Sequence, residues 1–202
     1  MHLLARPRGV LRLSLWAVAA VLLLVSAVQS QQDSADWQRR VREQVNHHQL
    51  DAALAVVNQR LDQAPTDLGA CGWRGRLLAW QGQWAAAESE YRQVLAQVPR
   101  DTDILCGLAD VLLWEGKPKE ALGAIERARE VAPNQPEILL RRARILQILN
   151  SASGARSQYR QILKLDRENQ EAKRALADLA REDQARTPRR RRRLDLQLHP
   201  SG

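Results

Sequence analysis

The 202-residue chain sets 31 Lys and Arg against 23 Asp and Glu, and holds six Trp, no Phe and two Cys. Its wealth of Ala, Leu, Arg and Gln favours helices, and a β-sandwich would want more Val, Thr, Tyr and Phe. The formal charge of +8 is confined to the ends: residues 1–30 carry +3 and residues 184–202 carry +5, so 31–183 has no net charge and lacks the broad basic face that argues for nucleic acid.

From the N-terminus, Arg6, Arg8 and Arg12 precede an apolar run from Leu13 to Val28, broken only by Ser14 and Ser26. Ala27 and Ser30 then lead into polar QQDSAD. This is the layout of a signal peptide over 1–30, cut near Ala27 or Ser30. The run is long for a signal and short for a membrane span, so an uncleaved anchor over 13–28 fits as well. In either case three Arg before the run and none just after it orient the chain positive-inside. The body is expected to be periplasmic or otherwise extracytoplasmic. Cys71 and Cys106 then face an oxidising compartment. No CxxC and no His/Cys ligand spacing is present, and the adjacent His47 and His48 point apart on a helix, so no metal site is expected.

The body repeats. Pro65, Pro99 and Pro133 are 34 residues apart, which sets unit starts at Ser34, Leu68, Thr102 and Pro136. Position 8 then holds Val41, Gly75, Ala109 and Ala143; position 20 holds Ala53, Ala87, Ala121 and Ala155. Position 24 holds Val57, Tyr91, Ile125 and Tyr159. Position 28 holds Leu61, Leu95 and Leu163 but Arg129 in the third unit, where the apolar step falls at Ala128. Small residues at fixed places let two antiparallel helices approach closely. WQGQW and WEGKP turn the chain after a first helix, and each proline stops a second one. The spacing predicts helix pairs at 35–47/50–63, 68–81/84–97, 102–115/118–131 and 136–149/152–165.

This pattern resembles the tetratricopeptide repeat family. The third unit fits best, with Leu105, Leu108, Ala109, Gly116, Ala121, Ile125, Ala128 and Pro133 in the family's places, and Trp37 supplies the family's Trp in the first. Arg40, Arg74 and Arg142 stand where the family has Leu, Asn150 where it has Gly, and Arg167 where it has Pro. The resemblance implies an all-α, right-handed α-solenoid of four hairpins (34–67, 68–101, 102–135 and 136–169). Residues 170–183 supply a capping helix, with Ala172, Ala175, Leu176 and Leu179 on one stripe. Residues 184–202 read as a basic disordered tail containing Arg189, Arg190, Arg191, Arg192 and Arg193. A second reading takes LDLQLH as a strand for a partner's sheet edge, with the Arg run on anionic lipid or polymer.

The resemblance further implies a concave groove lined by positions 2, 5, 9, 12 and 13 of the first helices. Position 9 gives Arg42, Arg76, Asp110 and Arg144, and position 13 includes Trp80 and Trp114. Guanidinium groups beside flat apolar faces suit an extended peptide or a glycan. Packing at hairpin corners accounts for the Trp pair equally simply, and a solvated face for the Arg ladder. Cys71 and Cys106 fall on adjacent first helices, where a disulfide is conceivable, although helix spacing of about 8–10 Å exceeds the bridging limit of about 7 Å. No nucleophile–base pair, phosphate loop or ligand cluster occurs, so neither catalysis nor a cofactor is expected.

GRLLAWQGQW and GLADVLLWEGKP also resemble the periplasmic tetratricopeptide arms of exopolysaccharide-export outer-membrane barrels, of the kind that serve cellulose synthases. That resemblance implies an exported adaptor holding a protein partner of the cell envelope, in polysaccharide export or outer-membrane assembly. The alternative from the residues is a module that binds glycan or peptide directly.

Overall fold

The 34-residue period resolves into helices of two alternating lengths in the computed structural model, which describes Ala20 and residues 36–198, with side chains from 36 to 185. Helix α1 covers 36–46. It is followed by α2 (Leu50–Gln63), α3 (Leu68–Trp80), α4 (Trp84–Gln97), α5 (Thr102–Trp114), α6 (Pro118–Val131), α7 (Pro136–Ile148), α8 (Ala152–Leu165) and α9 (Gln170–Leu198). The first helices α3, α5 and α7 each have 13 residues and the second helices α2, α4, α6 and α8 each have 14, as an insertion-free repeat requires. No strand and no helix long and apolar enough to span a membrane occurs among the described residues. Residues 1–30, expected as a signal peptide or anchor, lie outside the described residues apart from Ala20.

The chain divides into two compact units, Met1–Ala70 and Cys71–Gly202. In the first, α1 and α2 bury Trp37, Val41, Ala53, Val57 and Leu61. In the second, each helix from α4 onward packs on the next, and α5 also touches α7, the layering of a helical solenoid. Ala87, Ala121 and Ala155 are all wholly buried, so position 20 is a core position in each of these repeats. Tyr91, Ile125 and Tyr159 fill position 24 from the second helices. Complete burial of an aliphatic side chain such as Ile125 contributes about 1.5–3 kcal/mol.

Each hairpin turns the same way. Position 15 is left-handed in every repeat: φ is 58° at His48, 76° at Gly82, 75° at Gly116 and 58° at Asn150. The following N–H reaches back over the turn each time, as from Lys117 to the Leu112 carbonyl at 2.8 Å and from Ser151 to that of Leu146 at 2.7 Å. Only glycine takes that conformation freely, so His48 and Asn150 hold it with strain. At the other end, position 34 caps the next first helix. Asp101 accepts from the N–H groups of Asp103 and Ile104, both at 3.0 Å, and Asn169 accepts from that of Ala172 at 3.0 Å. Gln135, at the same place before α7, makes no side-chain cap.

Two of the three arginines at position 7 are accommodated by glutamates on second helices. Arg74 pairs with Glu90 at 2.8 Å and Arg142 with Glu126 at 2.7 Å. These pairs are half-buried, which offsets the loss of the apolar side chain expected there.

Ala172 and Leu179 of α9 bury against Leu139, Leu146, Tyr159 and Ile162, closing the exposed face of the last hairpin. The helix does not end at 183. It continues to Leu198, so the segment expected as a disordered tail is helical there, and LDLQL is not a strand. Arg, Leu and Gln are strong helix formers, and extending an existing helix needs no new nucleus. Arg189 to Arg193 fall on this extension, where the backbone alone is described.

Candidate binding groove

Within the second unit, α3, α5 and α7 line an open groove of about 380 Å³. Of the residues expected to face it, Arg76, Trp80, Asp110 and Trp114 come together there. Asp103, Glu137, Cys106 and Ala79 join them from positions 2, 5 and 12. Arg144 does not. Its guanidinium donates to Glu171 of α9 at 2.9 Å and thereby ties the capping helix to α7. Arg42 belongs to the first unit, where it reaches Gln38 at 3.5 Å.

Trp80 and Trp114 are 47% and 48% exposed, so neither is simply a corner packing residue. Trp114 is braced from behind by Trp84, with ring centroids 6.4 Å apart. Arg76 lies over the Trp73 ring at 4.9 Å, which fixes its guanidinium without spending a hydrogen-bond donor. Asp110 is engaged already: the Arg141 Nε donates to its two carboxylate oxygens at 3.2 and 3.1 Å, joining α5 to α7. Burial nevertheless pushes Asp110 above the ordinary carboxylate range, with Arg141 pulling the other way.

Tyr91 forms the floor. It comes from a second helix, and its ring lies in the space that a Cβ on either Gly75 or Gly107 would occupy. Such a Cβ would stand 2.8 Å from Cε1 at Gly75 and 2.9 Å from Cζ at Gly107. Burial pushes the Tyr91 phenol up to about 12, so it serves as a neutral donor or acceptor. From sequence Tyr91 reads as a core residue and Arg141 goes unnoticed. The only available signal for the latter is an unmatched acid at position 9 of one repeat and a base at position 6 of the next.

Cys71 and Cys106 are two buried thiols, and the disulfide considered from sequence is not formed. Packed helices ordinarily stand about 8–10 Å apart, beyond the bridging limit of about 7 Å. Burial raises the Cys106 thiol to about 11, which keeps it protonated and unreactive. No group of His, Cys, Asp or Glu that could hold a metal ion occurs among the described residues.

Comparison with known proteins agrees with this geometry. Residues 78–145 match the model of the tetratricopeptide repeat family. Over 117 residues, 58% of the chain, the sequence is 37% identical to cellulose synthase operon protein C of Pseudomonas fluorescens (strain SBW25), of whose length the match spans 9%. A thermophilic tetratricopeptide protein of Thermus thermophilus superposes with a TM-score of 0.60 at 24% identity, over 71% of this chain and 80% of its own. The first tetratricopeptide domain of Spaghetti, solved with an HSP90 peptide, superposes with a TM-score of 0.54 at 18% identity, over 57% of this chain and 91% of its own. The 34-residue period and the stacked hairpins agree with these likenesses in fold, and residues 78–145 are a stretch of tetratricopeptide repeats.

Proposed function

We propose that the chain is an exported, non-catalytic scaffold that holds a protein partner in the α3/α5/α7 groove, within a cell-envelope assembly for exopolysaccharide export or outer-membrane biogenesis. The observation that carries the reading is the pair of half-exposed tryptophans beside Arg76 and the Asp110–Arg141 bridge. Large aromatic side chains and Arg are the usual anchors of protein interfaces. The peptide bound by the Spaghetti domain supports a groove for extended protein segments. The likeness to a protein named for the cellulose synthase operon, with the basic and apolar N-terminal segment, supports the envelope setting. The test is a pull-down from envelope extract with the full chain and with Trp80→Ala/Trp114→Ala. Loss of the same band in the variant is the expected result; an unchanged set of captured proteins would refute the groove.

Direct glycan binding is the second reading, favoured by the same open Trp faces beside a fixed guanidinium. It predicts retention on immobilised cello-oligosaccharide that Arg76→Ala abolishes while protein capture persists.

A further inference from the structure

The two ends of the groove differ in chemistry. Trp80 and Trp114 form one end, the latter held in place by Trp84. Asp103 and Glu137 form the other, each in the first turn of its helix. The helix dipole explains why an acid is tolerated at those two places. It does not explain why both face one groove, exposed, with neither side chain paired to a cation among the described residues. The third acid of the groove, Asp110, is already matched by Arg141. Arg141 also lies near Glu137, donating to its carbonyl at 3.4 Å, but makes its ion pair with Asp110. An incoming segment therefore meets apolar surface at one end and two exposed carboxylates without an ion pair at the other.

The separation of the ends fixes a spacing. Asp103 and Trp114 are 11 residues apart on α5, about 16 Å at the rise of an α-helix. An extended chain covers that distance in about five residues. We infer that the groove takes an extended protein segment carrying a Lys or Arg about five residues from an aromatic or large aliphatic side chain. The cation rests at Asp103 and Glu137 and the apolar group between Trp80 and Trp114. The Tyr91 hydroxyl and the Arg76 guanidinium lie between, placed to meet the segment's backbone. This inference rests on the groove being the partner-binding surface.

Random peptides about a dozen residues long, displayed on phage and selected on the immobilised full chain, test both statements. The expected clones carry a basic residue about five positions from an apolar anchor. Their binding falls roughly fivefold for Asp103→Asn/Glu137→Gln, two exposed pairs each contributing modestly, and falls further in high salt. Far-UV circular dichroism identical to that of the parent shows that the variant is folded. Enrichment of acidic clones, or of clones that bind Asp103→Asn/Glu137→Gln as well as the parent, overturns the inference. If those clones still lose binding to Trp80→Ala/Trp114→Ala, the groove stands and only the basic partner is wrong. Clones indifferent to both pairs, or no enrichment over the bare support, overturn the groove and the inference together.

Discussion

Gly107→Ala should destabilise the protein, although α5 as an isolated helix would gain from it. Gly107 lies inside α5, where exchanging Gly for Ala ordinarily stabilises by up to about 1 kcal/mol. Here the added Cβ would stand 2.9 Å from Tyr91 Cζ, 3.0 Å from its Oη and 3.1 Å from Cε2. Those contacts are about half an ångström or more inside the optimum between carbons. The ring has no simple retreat, because its opposite edge already fills the Cβ space of Gly75 at 2.8 and 2.9 Å. Overpacking of this kind costs about 1–3 kcal/mol, so the net effect is a loss of about 1 kcal/mol, read as a melting temperature lower by about 2–4 °C. In a Tyr91→Leu background the clashing atoms are gone, and the same substitution should stabilise by about 0.5–1 kcal/mol. Urea unfolding of the four proteins, followed by far-UV circular dichroism, gives the cycle; its coupling should approach about 2 kcal/mol. Equal stabilisation by Gly107→Ala in both backgrounds would refute the wedge.

Three further outcomes follow from the same structure. Asn150→Gly should stabilise by up to about 1 kcal/mol by relieving a left-handed asparagine, whereas Gly116→Ala should cost about 1–2 kcal/mol; thermal melts check both signs. Gln135→Asp should add about 1 kcal/mol in the same melts by giving α7 the cap that Asp101 gives α5. The Lys117 ammonium, 2.9 Å from Glu88, holds that carboxyl at about 2 with help from Arg92. A carboxyl whose value is lower folded than unfolded stabilises fully above the ordinary range and loses that contribution on acidification. Stability measured from pH 5 downward should therefore fall between about pH 4.5 and pH 2, and Glu88→Gln should be less sensitive across that window.

Much of the fold was legible in the sequence because it is written in side-chain volume. Ala at position 20 and a stopping proline recur every 34 residues, and the helices stand within about a residue of the spans they predict. The turns were half legible: Gly82 and Gly116 announce a left-handed position, while His48 and Asn150 occupy it without the residue type that signals it. The family resemblance, not helix periodicity, sets Arg76, Trp80, Asp110 and Trp114 on a common surface, and these four side chains line one groove. Ion pairing did not follow, because it joins different helices. Arg144 went to Glu171, Asp110 to Arg141, and the anomalous Arg74 and Arg142 to Glu90 and Glu126. The end of α9 was not legible because a run of like charge argues for disorder by composition, whereas arginine also prolongs a helix readily, and α9 runs on to Leu198.

The Tyr91 ring touches α3 on one edge and α5 on the other while its own backbone belongs to α4. Repeat arrays ordinarily loosen one module at a time, each held mainly by its neighbours. A single aromatic plate keyed into two successive modules makes that region surrender all three helices at once or none. Deuterium uptake should accordingly report α3, α4 and α5 as one slow block, with the terminal helices α8 and α9 opening ahead of it.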